Sequence, residues 1–286
     1  MKFSKVIVLS MAMFWAVSAS AQQPPAQPLT YWSCYAVKPG KEGDFLNLVK
    51  TVGAPVRDKM MADGVVLAWG LESTMLRGHG DTTHCIWYAM GDWSAVEKVQ
   101  NALNARLASL AEEDAKAAGE GRKKGQKPAM STAERIQDAV DLSKTKDYLT
   151  RDLVFVLGKD MGAGSLPYTR YNFVKVRPGE AAAYRATWEK YNKPVLDKLV
   201  ADGTLLAFGL AVEEVKTTGD LTHFAWYAMK SLDGMDKVRN AFLADRDRRS
   251  AEEREAITAA FLKEIDPDAS RSEVDQSIIF RVPGQK

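Results

Sequence analysis

A displacement of 139 residues brings this chain back onto itself. Val37–Ala102 aligns with Val176–Ala241 without a gap, and 26 of the 66 aligned positions are identical. Lys38-Pro39-Gly40 becomes Arg177-Pro178-Gly179, Ala62-Asp63-Gly64 becomes Ala201-Asp202-Gly203, and Thr83-His84 becomes Thr222-His223. Trp87-Tyr88-Ala89-Met90 returns as Trp226-Tyr227-Ala228-Met229. Solenoid units run to roughly 20–50 residues, so this period is far too long for one. It has the size of a domain.

Each copy carries the same sequence of patterns. Tyr31–Val37 is aromatic and β-branched and stops at Lys38-Pro39-Gly40, which predicts a strand and a turn. Phe45, Leu48, Val49, Val52, Val56 and Met60 fall at helical spacing. Pro55 lacks a backbone donor and should kink that helix or begin a second segment, and Gly64 should end it. Val65–Leu71 predicts a strand, Gly78–Asp81 a hairpin loop and Thr83–Met90 the next strand. Ser94–Glu97, Ser131–Glu134 and Ser250–Glu253 have the spacing of capping boxes. Arg151–Leu157 and Ser277–Val282 read as the closing strands. The order is β-α-β-β-α-(α)-β in both copies, the split βαβ or ferredoxin-like arrangement, an α+β class fold.

The ends add an address. Lys2 and Lys5 precede an apolar run from Val6 to Val17, and Ala19-Ser20-Ala21 offers small residues for cleavage. That is the pattern of a signal peptide, and it implies a periplasmic or secreted protein that begins after Ala21. The expected division is signal peptide 1–21, a Pro/Gln-rich leader 22–28, repeat one 29–158, a linker 159–167 and repeat two 168–286. The chain has 39 basic and 37 acidic side chains. Removing Lys2 and Lys5 leaves 37 of each, a balance with no electrostatic footprint for nucleic acid. The one basic cluster, Arg122-Lys123-Lys124 with Lys127, sits in a Gly-rich stretch that repeat two lacks and reads as a solvated loop. No later segment is apolar enough for stable membrane insertion.

The element order, the duplication, and Pro55 and Pro194 followed by Asp63-Gly64 and Asp202-Gly203 resemble the dimeric α+β barrel superfamily in a tandem, fused form. The resemblance implies two ferredoxin-like βαββαβ repeats packed sheet to sheet as an intramolecular barrel enclosing a pocket. It covers nearly all of the chain after the leader. Members include cofactor-independent monooxygenases, isomerases and haem enzymes, and the fold alone does not choose among them.

Within that frame the aligned polar and aromatic residues are the candidates for the pocket. His84 and His223 would be symmetry mates, as acid–base or ligand-binding groups or as ties for the hairpin ends. Tyr88 and Tyr227 share their face by strand parity. Ser33 and Asn172 are aligned polar positions in the first strands, and Trp69 and Phe208 are aligned wall candidates. Trp87 and Trp226 read as core. His79 has no counterpart. No zinc-type spacing occurs, so no metal is expected. No cofactor is expected either, with non-covalent haem the minor alternative. Hydrolase elbows and phosphate-binding loops are missing.

Cys34 aligns with Phe173 and Cys85 with Phe224. In the fold implied by the resemblance the first and third strands are neighbours, so a Phe–Phe contact in one half could be a Cys34–Cys85 disulfide in the other. Two buried thiols are the alternative. The functional expectation is a small aromatic or amphipathic ligand between the repeats, with cofactor-independent oxidation as the chemistry. The other reading is a solid-cored envelope protein acting through protein contacts, as a monomer or homodimer.

Overall fold

The structure is a computed structural model and describes residues 27–76, 82–119, 129–162, 167–215 and 221–283. The expected signal peptide, most of the expected leader, the Gly78–Asp81 segment with His79 and the basic cluster lie outside the described residues.

Repeat one comprises β1 (Leu29–Val37), α1 (Glu42–Leu48), α2 (Ala54–Ala62), β2 (Val66–Thr74), β3 (His84–Met90), α3 (Trp93–Gly119), α4 (Thr132–Ala139) and β4 (Val140–Leu157). Repeat two comprises β5 (Tyr168–Val176), α5 (Ala181–Tyr191), α6 (Lys193–Ala201), β6 (Leu205–Val215), β7 (His223–Met229), α7 (Gly234–Asp247), α8 (Ala251–Glu264) and β8 (Ile265–Arg281). The eight strands close into one antiparallel barrel in the order β1-β3-β2-β8-β5-β7-β6-β4. The helices pack outside it.

Closure depends on β4 and β8. Each is far longer than its apolar stretch, because β4 pairs with both β1 and β6, and β8 with both β5 and β2. The expectation of short final strands at Arg151–Leu157 and Ser277–Val282 is corrected here. Residues 140–148 and 265–274 have polar side chains on both faces and pair with β1 and β5 of their own repeat, while Leu149–Leu157 and Asp275–Arg281 carry the hydrogen bonds that link the two halves into one sheet. Every neighbour is antiparallel, so β1, β2, β5 and β6 all run the same way. The pseudo-two-fold relating the repeats therefore lies along the barrel axis.

The punctuation follows the sequence. Pro55 and Pro194 both stand at the start of a second helical segment, after a π-helical turn at Val49–Gly53 in one repeat and a break at Asn192 in the other. Gly64 and Gly203 end those helices at φ 74° and 80°, a conformation costly for any residue with a Cβ. The capping boxes at Ser131/Glu134 and Ser250/Glu253 are formed. The one expected at Ser94 is not: α3 begins at Trp93, and the Ala95 amide donates to Asp92 Oδ1 at 2.9 Å. Asp92 supplies the cap two residues earlier.

Two apolar clusters lie between the barrel and its helices. One gathers Phe45, Leu48, Trp69, Ile86, Tyr88 and Val99, the other Tyr184, Trp188, Leu199, Phe208, Tyr227 and Val238. Each repeat thus has its own outer core, and the two share the barrel interior.

Candidate functional site

Strand parity decides what faces inward. In β3 the inward set is Cys85, Trp87 and Ala89, and in β7 it is Phe224, Trp226 and Ala228. These residues help to line a cavity of about 440 Å³ inside the barrel. A drug-sized ligand needs ~300 Å³ or more. Trp32, Tyr171, Tyr148 and Phe280 add to the aromatic wall. Gly70 and Gly209 make room for the two indoles: a Cβ at either position would meet the Trp87 or Trp226 ring at 2.8 or 2.7 Å. At the end where β1, β2, β5 and β6 begin, the mouth is apolar. Leu67, Phe155 and Leu157 are exposed there beside Met161, Val282 and Pro283.

The residues expected to line the pocket stand elsewhere. His84, Tyr88 and Trp69 belong to the outer face of repeat one, and His223, Tyr227 and Phe208 to that of repeat two, packed under helices. Ser33 donates to Asp147 at 2.6 Å, and Asn172 accepts from Ser272 at 2.8 Å, on the outward side of β1 and β5. The alternation was right and the choice of face inverted. Both faces of these strands are apolar, and the larger side chains fill the helix-covered side. Trp87 and Trp226, read as core, are cavity wall instead.

The histidines take part in a repeated tie. Thr83 Oγ1 accepts from the Val37 amide at 3.0 Å, donates to the Tyr35 carbonyl at 3.3 Å and lies 3.0 Å from His84 Nδ1. Thr222 does the same with Val176, Val174 and His223. A hydroxyl has one proton to give, so the threonine's bond to the carbonyl and its contact with Nδ1 are linked through the imidazole tautomer. Burial lowers the pKa of His223 to about 4, so it is neutral at ordinary pH. Neither ring reaches the cavity to bind a group held there.

The chemistry of the interior is carboxylic. Glu72, Asp152, Glu273 and Asp275 line the cavity with Lys146 and Arg271. Glu72 Oε2 accepts from Tyr171 Oη at 2.8 Å, and Oε1 from Ser277 Oγ at 3.4 Å and Thr169 Oγ1 at 3.5 Å. Asp275 lies diagonally across from it on β8, since Glu72 pairs with Ser277 and Thr74 with Asp275. Burial, and then the neighbouring carboxylate charges, push both pKa values well above the ordinary carboxylate range. Asp152, across the barrel, is raised to about 7 by burial alone. Arg271 lies over the Phe173 ring at 4.7 Å.

Sequence reading missed these acids, and one signal pointed at them. Glu72 alternates with Trp69 and Leu71 in an otherwise apolar strand, and the equivalent residue in repeat two is Ala211. An acid that one copy keeps and the other lacks is a departure from the duplicated scaffold. Cys34 and Cys85, by contrast, are paired in register on β1 and β3 and form the disulfide. Phe173 and Phe224 occupy the equivalent pair with rings 5.2 Å apart.

No family model matches the sequence, and no curated protein matches it. Solved structures do. A putative monooxygenase from Fusobacterium nucleatum superposes with a TM-score of 0.56 at 12% identity, covering 91% of this chain and 97% of that one. A second from Lactobacillus acidophilus gives 0.53 at 10% identity over 90% and 97%. An anthrone oxidase-like protein gives 0.51 at 12% identity over 91% and 95%. The fold is the dimeric α+β barrel. Both halves of the barrel come from one chain here, and at these identities the likeness speaks for architecture only. Among the described residues no helix is long and apolar enough to cross a membrane, and no group of three or more His, Cys, Asp or Glu is placed to hold a metal ion.

Proposed function

We propose that the barrel binds a small aromatic or amphipathic molecule and oxidises it with dioxygen without a resident cofactor. The cavity of about 440 Å³ carries the reading: its wall includes Trp32, Trp87, Tyr171 and Trp226, and its polar groups include four carboxyls with Lys146 and Arg271. An aromatic wall with few polar groups suits a flat, mostly apolar ligand. The apolar mouth suits its entry. Buried carboxyls with raised pKa values suit proton transfer near neutral pH, which activates a weakly acidic substrate toward oxygen. The named activities of the monooxygenase and anthrone oxidase-like neighbours agree with this chemistry.

A solid-cored envelope protein fits less well, because the interior is not filled. One chain closes the barrel, so a monomer would suffice. Export follows from Lys2, Lys5 and the apolar run after them, and a disulfide suits an oxidising compartment.

Anthrone is the direct test. With purified protein, chelator and no added cofactor, oxygen uptake should match the conversion of its methylene to a carbonyl, one O₂ consumed and one water formed per molecule. Anthrone that binds but consumes no oxygen above the protein-free rate leaves a binding protein. Absence of binding by any tricyclic aromatic defeats the whole reading.

A further inference from the structure

The proposed function leaves open what the ligand must carry, and Asp275 answers that. Its side chain is 2% exposed, lines the cavity, and has no hydrogen-bond partner at Oδ1. Glu72 beside it, 3% exposed, already accepts three hydroxyls. Two neighbouring carboxyls in a desolvated site do not both ionise; they hold at least one proton between them. Hydrogen-bond donors favour the charged form, so Glu72, with three hydroxyl donors, ionises first and Asp275 keeps its proton. A buried polar atom with no partner is costly, and one that faces a cavity is completed by what enters it.

Resting on the proposed aromatic ligand, we infer that Asp275 presents a protonated carboxyl as hydrogen-bond donor to the bound molecule, and that the ligand is a neutral aromatic ketone or related oxo compound. A formal anion is disfavoured by the charge that Glu72 takes on when it ionises. A pure hydrocarbon would leave the Asp275 carboxyl unsatisfied. The titratable groups that face Asp275 are Glu72 of β2, Tyr171 of β5 and Glu273 of its own strand, with Arg271 beyond Glu273.

The test compares 9-fluorenone with fluorene, two molecules of the same outline that differ in one carbonyl, by quenching of tryptophan fluorescence. At pH 6 the wild-type protein should prefer fluorenone about tenfold, the worth of one buried hydrogen bond. The preference should fall as pH rises and the shared proton is lost. Asp275→Asn keeps a donor that does not ionise, so its preference should persist at every pH. Asp275→Ala should bind both compounds equally. Equal binding of the two by the wild-type protein at pH 6, or an undiminished preference in Asp275→Ala, overturns this inference while the aromatic pocket stands. Failure of both compounds to bind overturns the proposed function and this inference together.

Discussion

The two repeats agree wherever the barrel is built and differ wherever its interior has chemistry. Gly70 and Gly209 admit the same indoles, Thr83 and Thr222 make the same tie, and Gly64 and Gly203 end the same helix. Inside, Glu72 faces the cavity where repeat two has Ala211, and Asp275 and Glu273 stand where repeat one has Thr150 and Tyr148. Asp152 occupies the place of Ser277. Outside, Arg57 lies 5.7 Å from both the Trp69 and Tyr88 rings, in the room left by Gly53, while repeat two has Leu196 and Asn192. Duplication supplied two equal walls, and divergence made the pocket between them asymmetric. An asymmetric pocket can hold one ligand in one orientation, which a perfectly two-fold site cannot.

The largest expected break in this comparison is the disulfide. It closes a separation of 51 residues, and the chain-entropy model gives about 4 kcal/mol for such a loop. Repeat two holds the same strands with Phe173 against Phe224. Reduction should therefore lower the thermal midpoint of the wild-type protein by several degrees. A Cys34→Phe/Cys85→Phe variant should recover part of the loss and become indifferent to reductant. Differential scanning calorimetry with and without dithiothreitol checks this. A midpoint unmoved by reduction would mean that packing alone holds the β1–β3 edge.

Asp152 should give an effect of at most similar size, with a pH signature. Its folded pKa of about 7 lies above the ordinary value of 3.8, so between those values the folded state holds a proton that the unfolded state has lost. Stability attributable to Asp152 is thus full below pH 4 and declines as pH rises toward 7. Asp152→Asn cannot ionise and should be more stable than wild type at pH 8, by about 4 kcal/mol at most for a shift of this size, and nearly equal at pH 4. Urea midpoints at the two pH values decide it. The Ser277 position of the other half carries no such burden, so Ser277→Ala should show no pH-dependent change of this sign. An Asp152→Asn variant with the wild-type pH slope would mean that Asp152 is solvated by water in the cavity.

Much of the architecture was legible because it was written twice. The element order, the proline-started helices, Gly64 and Gly203 follow from aligning the copies, and the Cys34–Cys85 pairing was one of two alternatives under the fold that the copies resemble. The length of β4 and β8 was not legible, since a strand such as Asp141–Tyr148 has polar residues on both faces and no alternation marks it as part of the apolar stretch that follows. The site was not legible for a related reason. Repetition draws attention to His84/His223 and Tyr88/Tyr227, the shared positions, and shared positions here are scaffold. Glu72 and Asp275 are exceptions to the repeat, and Asp275 lies in the part of β8 where no apolar pattern marks a strand. Parity predicted two faces, but only the packed helices determine which one looks inward.

The smallest effect expected tests the scaffold side of the comparison. In both repeats a serine caps the helix that precedes the long final strand. The Glu134 amide donates to Ser131 Oγ at 3.3 Å, and the Glu253 amide to Ser250 Oγ at 3.1 Å. The return bonds, from the serine amides to the glutamates, are 2.7 and 3.0 Å. Ser131→Ala and Ser250→Ala should each cost about 1 kcal/mol, the usual worth of a cap. The two helices sit on opposite repeats and share no partner, so the double variant should cost the sum within about 0.5 kcal/mol. One asymmetry is built in: the Thr132 amide of α4 also donates to Asp114 of α3 at 2.6 Å, whereas among the described residues no equivalent side-chain acceptor serves the start of α8. Loss of Ser131 should therefore be the better tolerated of the two. Chemical denaturation of the three variants would show whether duplicated devices remain energetically equal after the pocket between them has ceased to be symmetric.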